Sequence, residues 1–195
     1  MKSLETKSIF LFETIKIVNF EPLNLDFHID RAVNSTSQKL KFDFKSILKS
    51  PLNGLVRAKV VFEINGNLHS VEYFAYKMRD FYEFKLTKID FDYSKKYLDR
   101  GNIEKITPQN SEIIMLKNDL VTDTSIANIA IFDEISGSWI TPKIPLLKGT
   151  TRARLLQNGF LKEANITKDM LLKAKRFAIM NAMIGFYELK SFKFS

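Results

Sequence analysis

The 195-residue sequence has no cysteine and only two histidines. Without thiols, disulfides and thiolate metal sites are excluded. With only His28 and His69 available, a histidine-rich metal centre is not expected either. No apolar run approaches the ~20 residues of a membrane-spanning helix, and residues 9–12 are too short for a signal-peptide core. The sequence predicts a cytoplasmic protein with no metal site and no membrane partner.

What the chain does contain is a large apolar fraction and an excess of positive charge. Hydrophobic residues make up 45% of the chain and aromatic residues 12%, which predicts a folded globular protein. Thirty basic against 22 acidic residues give a net charge of +8. The basic residues are scattered, and no basic block or tail is present, so we do not predict a nucleic-acid partner. A diffuse positive field also attracts small phosphorylated or carboxylated ligands.

Hydrophobic periodicity and turn residues predict a mixed α+β chain. Asn65-Gly66 between two apolar runs is a strong hairpin signal, and Thr167 is a good N-cap for a long helix. The predicted strands are 9–18, 55–64, 68–76, 81–91, 113–116, 126–132, 139–141 and 186–194. The predicted helices are 26–40, 150–157 and 168–183.

Two segments of the second half have the residue types of an anion-binding pocket with an acid nearby. Asp123 lies on a short turn that leads into an apolar strand. Gly149-Thr150-Thr151 opens a predicted helix, where unpaired backbone amides and two hydroxyls suit a phosphate. Each feature also has a structural interpretation, since an Asp often precedes a strand and one hydroxyl is enough to cap a helix.

These segments resemble the class IV aminotransferase family, the fold-type IV pyridoxal-phosphate enzymes, and within it the aminodeoxychorismate lyase branch most closely. The resemblance runs in order from about residue 9 to residue 186. It implies a two-domain α+β fold resembling the D-amino acid aminotransferase-like enzymes. An N-terminal α/β domain would span residues 1–85, and a C-terminal, barrel-like, cofactor-binding domain would span residues 86–195. The matching segments are Phe12-Glu-Thr-Ile-Lys-Ile17, His28-Ile-Asp-Arg31, Lys96-Tyr-Leu-Asp-Arg100, 120–132, 145–154 and Met180-Asn-Ala-Met183.

The resemblance also implies the cofactor pyridoxal 5'-phosphate and a set of residues that hold it. Lys96 would be the catalytic lysine, covalently bonded to the cofactor, and Asp123 would keep the ring nitrogen protonated, although many relatives have glutamate there. Asn128 would support the ring by hydrogen bonding, or serve only local backbone groups. Phosphate contacts would come from Arg31, Thr150 and Thr151, and Ile126 and Ala127 would lie behind the ring.

The choice between Lys95 and Lys96 depends on which argument is followed. Adjacent strand residues point to opposite faces, and alternation from Phe91 and Tyr93 would put Lys95 on the apolar side. The family's lysine stands three residues before an acid, and the spacing to Asp99 selects Lys96. We predict Lys96 and keep Lys95 as the alternative.

The implied activity is that of a lyase that converts 4-amino-4-deoxychorismate to pyruvate and p-aminobenzoate, a step of folate biosynthesis. The alternatives are a transaminase of the branched-chain or D-amino acid type and a non-catalytic binding protein of this fold. Family members resemble one another in forming homodimers, so a homodimer with a small anionic substrate is expected. The chain ends soon after Met183, so a C-terminal loop that contacts substrate in longer relatives is expected to be absent. Five further residues have side chains able to contact a substrate, although no spacing selects them: Thr14, Arg57, Arg79, Lys117 and Asn181.

Overall fold

Two units make up the computed structural model, which describes residues 8–80, 82–109 and 111–195. Unit 1 comprises the chain up to Tyr76 together with the short segment Lys95–Asp99. Unit 2 comprises Lys77–Ser94 and Arg100–Ser195. The predicted α+β class is confirmed by the mixture of strands and helices in both units. The predicted domain boundary near residue 85 stays a prediction.

Unit 1 is built on a four-stranded antiparallel sheet of order β2-β1-β3-β4. The predicted hairpin around Asn65-Gly66 is confirmed as the β3–β4 pair, with Gly66 in the left-handed region at φ 89°. Its elements are β1 (Phe10–Val18), β2 (Glu21–Pro22), α1 (Leu25–Ser35), α2 (Phe44–Ile47), β3 (Leu55–Glu63) and β4 (Leu68–Ala75).

The alternation of side chains along β1 and β3 gives the unit 1 sheet two different faces. On one face, Leu11, Ile15 and Ile17 pack with the apolar side chains of β3 and with α1 to form the core of the unit. The other face carries Phe12, Thr14 and Lys16. We call the first the core face and the second the outer face.

Unit 2 contains a nine-stranded sheet that follows the order β10-β9-β8-β7-β6-β5-β13, with β11 placed between β8 and β12. Its core consists largely of aliphatic and Phe side chains of the central strands and α5. A barrel-like closure stays a prediction. The elements are β5 (Glu83–Lys88), α3 (Gly101–Ile106), β6 (Glu112–Lys117), β7 (Leu120–Thr124), β8 (Asn128–Asp133), β9 (Ser138–Pro142), α4 (Thr150–Gln157), β10 (Leu161–Ala164), α5 (Lys168–Lys173), β11 (Phe177–Asn181), β12 (Gly185–Glu188) and β13 (Lys193–Phe194).

The predicted helix over 168–183 is wrong beyond its first part. Thr167 caps α5 as expected, its hydroxyl accepting the N–H of Met170 at 3.2 Å, but the helix ends at Lys173. Phe177–Met180 is instead buried on both sides and pairs antiparallel with β8 and β12. A short run buried on every side has no polar face, so periodicity alone does not separate a strand from a helix there.

Smaller differences concern element limits. The first helix ends at Ser35 rather than near Leu40, and the last predicted strand is two short ones. The expected turn at Asp123 is wrong, because Leu120–Thr124 forms the strand β7 between the predicted strands 113–116 and 126–132. In the part of the chain that the structure describes, no helix has both the length and the hydrophobicity to cross a bilayer.

Candidate functional site

Asp123 lies near the end of β7, and its carboxylate is buried at 4% exposure. Two neutral N–H groups bind it: the Asn128 side chain donates to Oδ1 at 2.7 Å, and the Leu147 backbone donates to Oδ2 at 2.7 Å. Asn128, the first residue of β8, also donates to the Leu147 carbonyl at 2.8 Å. The structure therefore brings the predicted residues Asp123 and Asn128 into direct contact.

The environment of Asp123 disfavours its charged form. Burial raises the pKa of Asp123 from 3.8 to about 7, and the hydrogen bonds from Leu147 and Asn128 and the charge of Arg152 offset only part of that effect. Each carboxylate oxygen has a second lone pair beyond the bond that it already accepts. A buried acid of this kind is complementary to a cationic N–H donor, since an added positive charge would stabilise the ionised carboxylate.

The turn between β7 and β8 is held by side-chain contacts to its backbone. The hydroxyl of Thr124 accepts the N–H of Ala127 at 2.9 Å. Glu112 accepts the Ser125 N–H at 3.1 Å, and Arg100 donates to the Ser125 carbonyl at 2.7 Å.

The two predicted residues of this turn that would lie behind a cofactor ring differ in burial. Ala127 is packed in the core of unit 2, whereas Ile126 is exposed at 36%. Within unit 2, the side chain of Ile126 is therefore accessible to a bound molecule, whereas that of Ala127 is not.

The start of α4 lies against the same acid. Gly149 is the N-cap at φ −72°, and a Cβ built on it would lie 1.9 Å from Asn128 Oδ1. Only glycine leaves room for the Asn128 amide that binds Asp123. No side chain caps α4, and Thr150 and Thr151 follow with both side chains buried. The helix start thus combines backbone amides that have no partner within α4 and two threonine side chains, close to Asn128 and Leu147, which bind Asp123.

Arg31 belongs to a buried cluster of unit 1. It donates Nε to Glu13 Oε1 at 2.8 Å and Nη2 to Glu13 Oε2 at 2.5 Å, while His28 Nδ1 lies 2.6 Å from the same carboxylate. Burial by itself would raise the pKa of Glu13, but the charge of Arg31 and the hydrogen bonds from His28 and Arg31 outweigh it and lower that pKa to about 2. Arg31 therefore enters any phosphate site as a member of a fixed ion pair.

Lys96 is placed by the short segment Lys95–Asp99, which runs antiparallel beside β1. Phe12 donates its N–H to the Lys96 carbonyl at 3.0 Å, and Leu98 donates to the Phe10 carbonyl at 2.9 Å. Leu11 is the bridge partner of Tyr97, so Lys96 lies opposite Phe12 on the outer face. Its ammonium lies 4.4 Å from the centre of the Phe12 ring.

Lys95 points the other way. By the same register its side chain lies on the core face, and its ammonium donates to the carbonyl of Ser35 at the end of α1, at 2.8 Å. This is a helix C-terminus contact of an ordinary structural kind. The two lysines are thus separated by face, with Lys95 attached to α1 and Lys96 on the outer face beside Phe12.

The predicted site residues are divided between the two units. Unit 2 brings Asp123 and Asn128 together with the start of α4, and unit 1 places Lys96 and Arg31 on different elements. Pattern reasoning missed the supporting residues, namely Leu147, Gly149 as a packing requirement, Glu112 and Arg100. Glu112 is 1% exposed, and its place at the start of an apolar strand was the available signal.

Comparisons with known proteins bear on the whole of this arrangement. A model of the family described as amino-transferase class IV matches residues 105–192. An uncharacterised protein of Haemophilus influenzae is 33% identical over 188 residues, which cover 90% of this chain and 98% of the relative. The chain belongs to the class IV aminotransferase family.

Solved structures agree with this assignment. A crystal structure from Haemophilus somnus, provisionally named a 4-amino-4-deoxychorismate lyase, matches with a TM-score of 0.80 at 30% identity over 91% of this chain and 97% of that one. A crystal structure from Mesorhizobium loti, provisionally named an amino-acid aminotransferase, matches with a TM-score of 0.78 at 20% identity over 96% and 100% of the two chains. The Haemophilus somnus structure, at 30% identity, supports the family assignment. The Mesorhizobium loti structure, at 20% identity, shows a shared fold.

The residues of unit 2 fit the cofactor that this family uses, pyridoxal phosphate. The pKa of Asp123 and its purely neutral hydrogen-bond donors leave an acid that a protonated ring nitrogen would compensate. The uncapped start of α4, with Thr150 and Thr151, is chemically suited to a phosphate dianion. A hypothetical aminotransferase of Mycobacterium tuberculosis, whose structure was solved in a pyridoxal-phosphate-bound form, has the same fold, with a TM-score of 0.72 at 11% identity over 94% of this chain and 81% of that one.

Proposed function

We propose that this protein is a pyridoxal-phosphate-dependent lyase that acts on 4-amino-4-deoxychorismate and works in the cytoplasm as a homodimer. The observation that supports the cofactor best is the buried Asp123 carboxylate, whose hydrogen-bond donors among the described residues are neutral and which lies beside the start of α4. The named lyase relative from Haemophilus somnus supports this reaction over others. The match to the family described as amino-transferase class IV supports transamination as the second candidate.

In this proposal each residue has one task. Asp123 holds a proton on the ring nitrogen, with Asn128 fixing the carboxylate. The amides and hydroxyls of Thr150 and Thr151, with Arg31 from its Glu13 pair, bind the phosphate. Ile126 borders the ring. When bound, the cofactor supplies a covalent attachment point for an amine and an electron sink.

Lys96 does the proton transfer. Its Nζ takes the proton from the amine-bearing ring carbon of the substrate, and the bond between the neighbouring ring carbon and the enolpyruvyl oxygen breaks, so the ring becomes aromatic. The released enolate becomes pyruvate when the proton is returned to its methylene carbon. The products are pyruvate and p-aminobenzoate, which together contain all atoms of the substrate. For the same lysine to support transamination, it would return the proton to the cofactor instead.

The first experiment tests the cofactor and the lysine. Protein loaded with pyridoxal phosphate is reduced with borohydride, digested and mapped by mass spectrometry, and we expect the added mass on Lys96. Lys96→Ala should abolish labelling. Lys95→Ala should retain it and cost about 1 kcal/mol of stability through the lost Ser35 contact. Label on Lys95, or none on any lysine, would refute the assignment.

The second experiment separates the two reactions. The loaded protein is given 4-amino-4-deoxychorismate, and pyruvate and p-aminobenzoate are measured as they form. In parallel it is given amino acids with 2-oxo acids, and exchange is measured. Equal release of the two lyase products supports the proposal, whereas exchange without pyruvate release supports the transaminase.

The proposed homodimer is tested by light scattering, which should give twice the 22.6 kDa chain mass.

A further inference from the structure

The outer face of the unit 1 sheet carries a row of basic side chains beside Lys96. In the β1–β3 ladder Thr14 lies opposite Lys59, and Lys16 lies opposite Arg57. Because directly opposed residues share a face, Lys16, Arg57 and Lys59 are all on the side that Lys96 occupies. At about 3.4 Å per residue, Thr14 and Lys59 lie about 7 Å along the strands from the level of Phe12 and Lys96.

This row works against the stability of the sheet. Like charges directly opposite on neighbouring strands are destabilising, and Lys16 and Arg57 form such a pair. None of the three forms an ion pair with any residue that the structure describes. The neighbouring acid is Glu72 on β4, opposite Lys59, which accepts a hydrogen bond from Ser70 at 3.4 Å. The face therefore keeps a net positive charge that folding does not require.

The Arg57 side chain has the contacts expected of an anion-binding residue. Its guanidinium lies 4.7 Å from the centre of the Phe74 ring, a favourable cation–π contact. Its Nε is buried and has no hydrogen-bond partner among the described residues. A carboxylate that binds a guanidinium through two parallel N–H groups would satisfy such an atom.

Other residues considered as substrate contacts are already used within unit 2. Lys117 donates to the Phe91 carbonyl at 2.9 Å, and Asn181 donates to the Ile126 carbonyl at 3.2 Å. Arg79 lies 4.0 Å from the buried Glu112 carboxylate. These three side chains already have polar partners within unit 2, whereas the Nε of Arg57 has none among the described residues.

We propose that the outer face of unit 1 binds a substrate with two carboxylates, with Arg57 and Lys59 as the carboxylate-binding residues and Lys16 adding to the positive field. This inference rests on the proposed function for the position of the reacting carbon at Lys96. One such cation is enough to bind one carboxylate. The two binding residues, Arg57 and Lys59, therefore correspond to the two carboxylates of the substrate.

The test measures binding of chorismate, which has both carboxylates but lacks the 4-amino group, to protein loaded with pyridoxal phosphate. Isothermal titration calorimetry should show that Arg57→Gln and Lys59→Gln each weaken chorismate at least about tenfold, a loss typical of a charged hydrogen bond. Lys39→Gln is the matched control, since it removes the same charge from an exposed position off this face. Arg57→Lys should recover part of the loss.

The outcomes separate the two proposals. If Arg57→Gln and Lys59→Gln bind chorismate as Lys39→Gln does, the dicarboxylate face is wrong even when borohydride labels Lys96 normally. If the unaltered protein does not bind chorismate, the face is also wrong. If Lys96 takes no label, the proposed function fails, while the chorismate comparison still decides the face. Should Arg57→Gln fail to fold, Arg57→Lys and Lys59→Gln give the same decision.

Discussion

At the scale of single residues, Asp123 gives the apo-protein an unusual dependence on pH. Its pKa is about 7 in the folded protein and 3.8 in the unfolded chain, so the folded state binds the extra proton between these values. Stability therefore falls as the pH rises from about 4 to about 7. At about 1.4 kcal/mol per pKa unit the loss approaches about 4 kcal/mol. We expect the urea unfolding free energy of Asp123→Asn to lack this fall.

The comparison needs a control because other acids titrate in the same range. Asp119→Asn changes an exposed acid in a left-handed turn that asparagine tolerates, so it should follow the parent protein at every pH. Asp123→Asn should carry a pH-independent cost as well, since an amide turns a donor toward Asn128 or Leu147. Parallel curves for Asp123→Asn and the parent protein would contradict the shifted pKa.

Gly149 is predicted to be sensitive for a reason of space rather than backbone strain. At φ −72° alanine is conformationally allowed, but its Cβ would lie 1.9 Å from Asn128 Oδ1. Gly149→Ala should therefore displace Asn128 from Asp123 and cost about 2–3 kcal/mol in urea unfolding.

A double-mutant cycle identifies that cause. Removing the Asn128 amide removes the clash, so Gly149→Ala should cost far less in an Asn128→Ala background. Gly137→Ala is a contrasting variant with open space and φ 59°, for which only about 1 kcal/mol of backbone cost is expected. Additive costs at residues 128 and 149 would show that the two do not interact.

The limits of sequence reasoning at this scale are visible in the two adjacent lysines. Spacing selected Lys96 while alternation selected Lys95 for the apolar side, and nothing in the sequence reveals which face of the sheet matters. The outer face is defined only when β1 pairs with both β3 and residues 95–99. Contacts far apart in the chain, such as that between Leu147 and Asp123, have no local pattern and were not predictable.

At the scale of elements, β1 and α1 are joined by the Glu13, His28 and Arg31 cluster. The lowered pKa of Glu13, about 2 against 4.5, means that its ionised form stabilises the fold above pH 4.5, and that this contribution disappears as the pH falls toward 2. We expect Glu13→Gln to lower the unfolding free energy by about 3 kcal/mol near neutral pH, because Arg31 loses its buried partner. The deficit should shrink below pH 4.5.

The control for this cluster lies on the same helix. Asp30→Asn alters an exposed acid of α1 and should change stability by less than about 0.5 kcal/mol at every pH. If the deficit of Glu13→Gln stays constant from neutral pH to pH 3, the lowered pKa of Glu13 is not the cause.

Several elements were predictable because their sequences carry a local signal. β1, the β3–β4 hairpin and α4 have alternation, an Asn-Gly turn or a cap in their sequences, and they appear close to the expected limits. β11 failed because its neighbours bury it completely. Its strand state comes from pairing with β8 and β12, a tertiary interaction that overrides the weak helical stripe.

At the scale of the whole molecule, the order of segments along the chain was more informative than any one of them. Each motif alone had an ordinary structural explanation, and the resemblance to the family rested on six segments that occur in the same order. The division into units was not readable in this way. Residues 95–99 join unit 1 although unit 2 flanks them on both sides, a placement set by pairing with β1.

The net charge of +8 should speed the capture of anionic ligands in general. Raising the salt from about 10 mM to about 1 M shortens the screening length from about 30 Å to about 3 Å, which removes long-range attraction. We expect the association rate constant of pyridoxal phosphate, followed by stopped-flow absorbance, to fall at least several-fold over this range. Pyridoxal has the same aldehyde without the phosphate and should associate with little dependence on salt. Equal salt dependence for the two compounds would mean that the positive field does not guide the cofactor. The phosphate of the cofactor would then be recognised only by short-range contacts at the start of α4 and at Arg31.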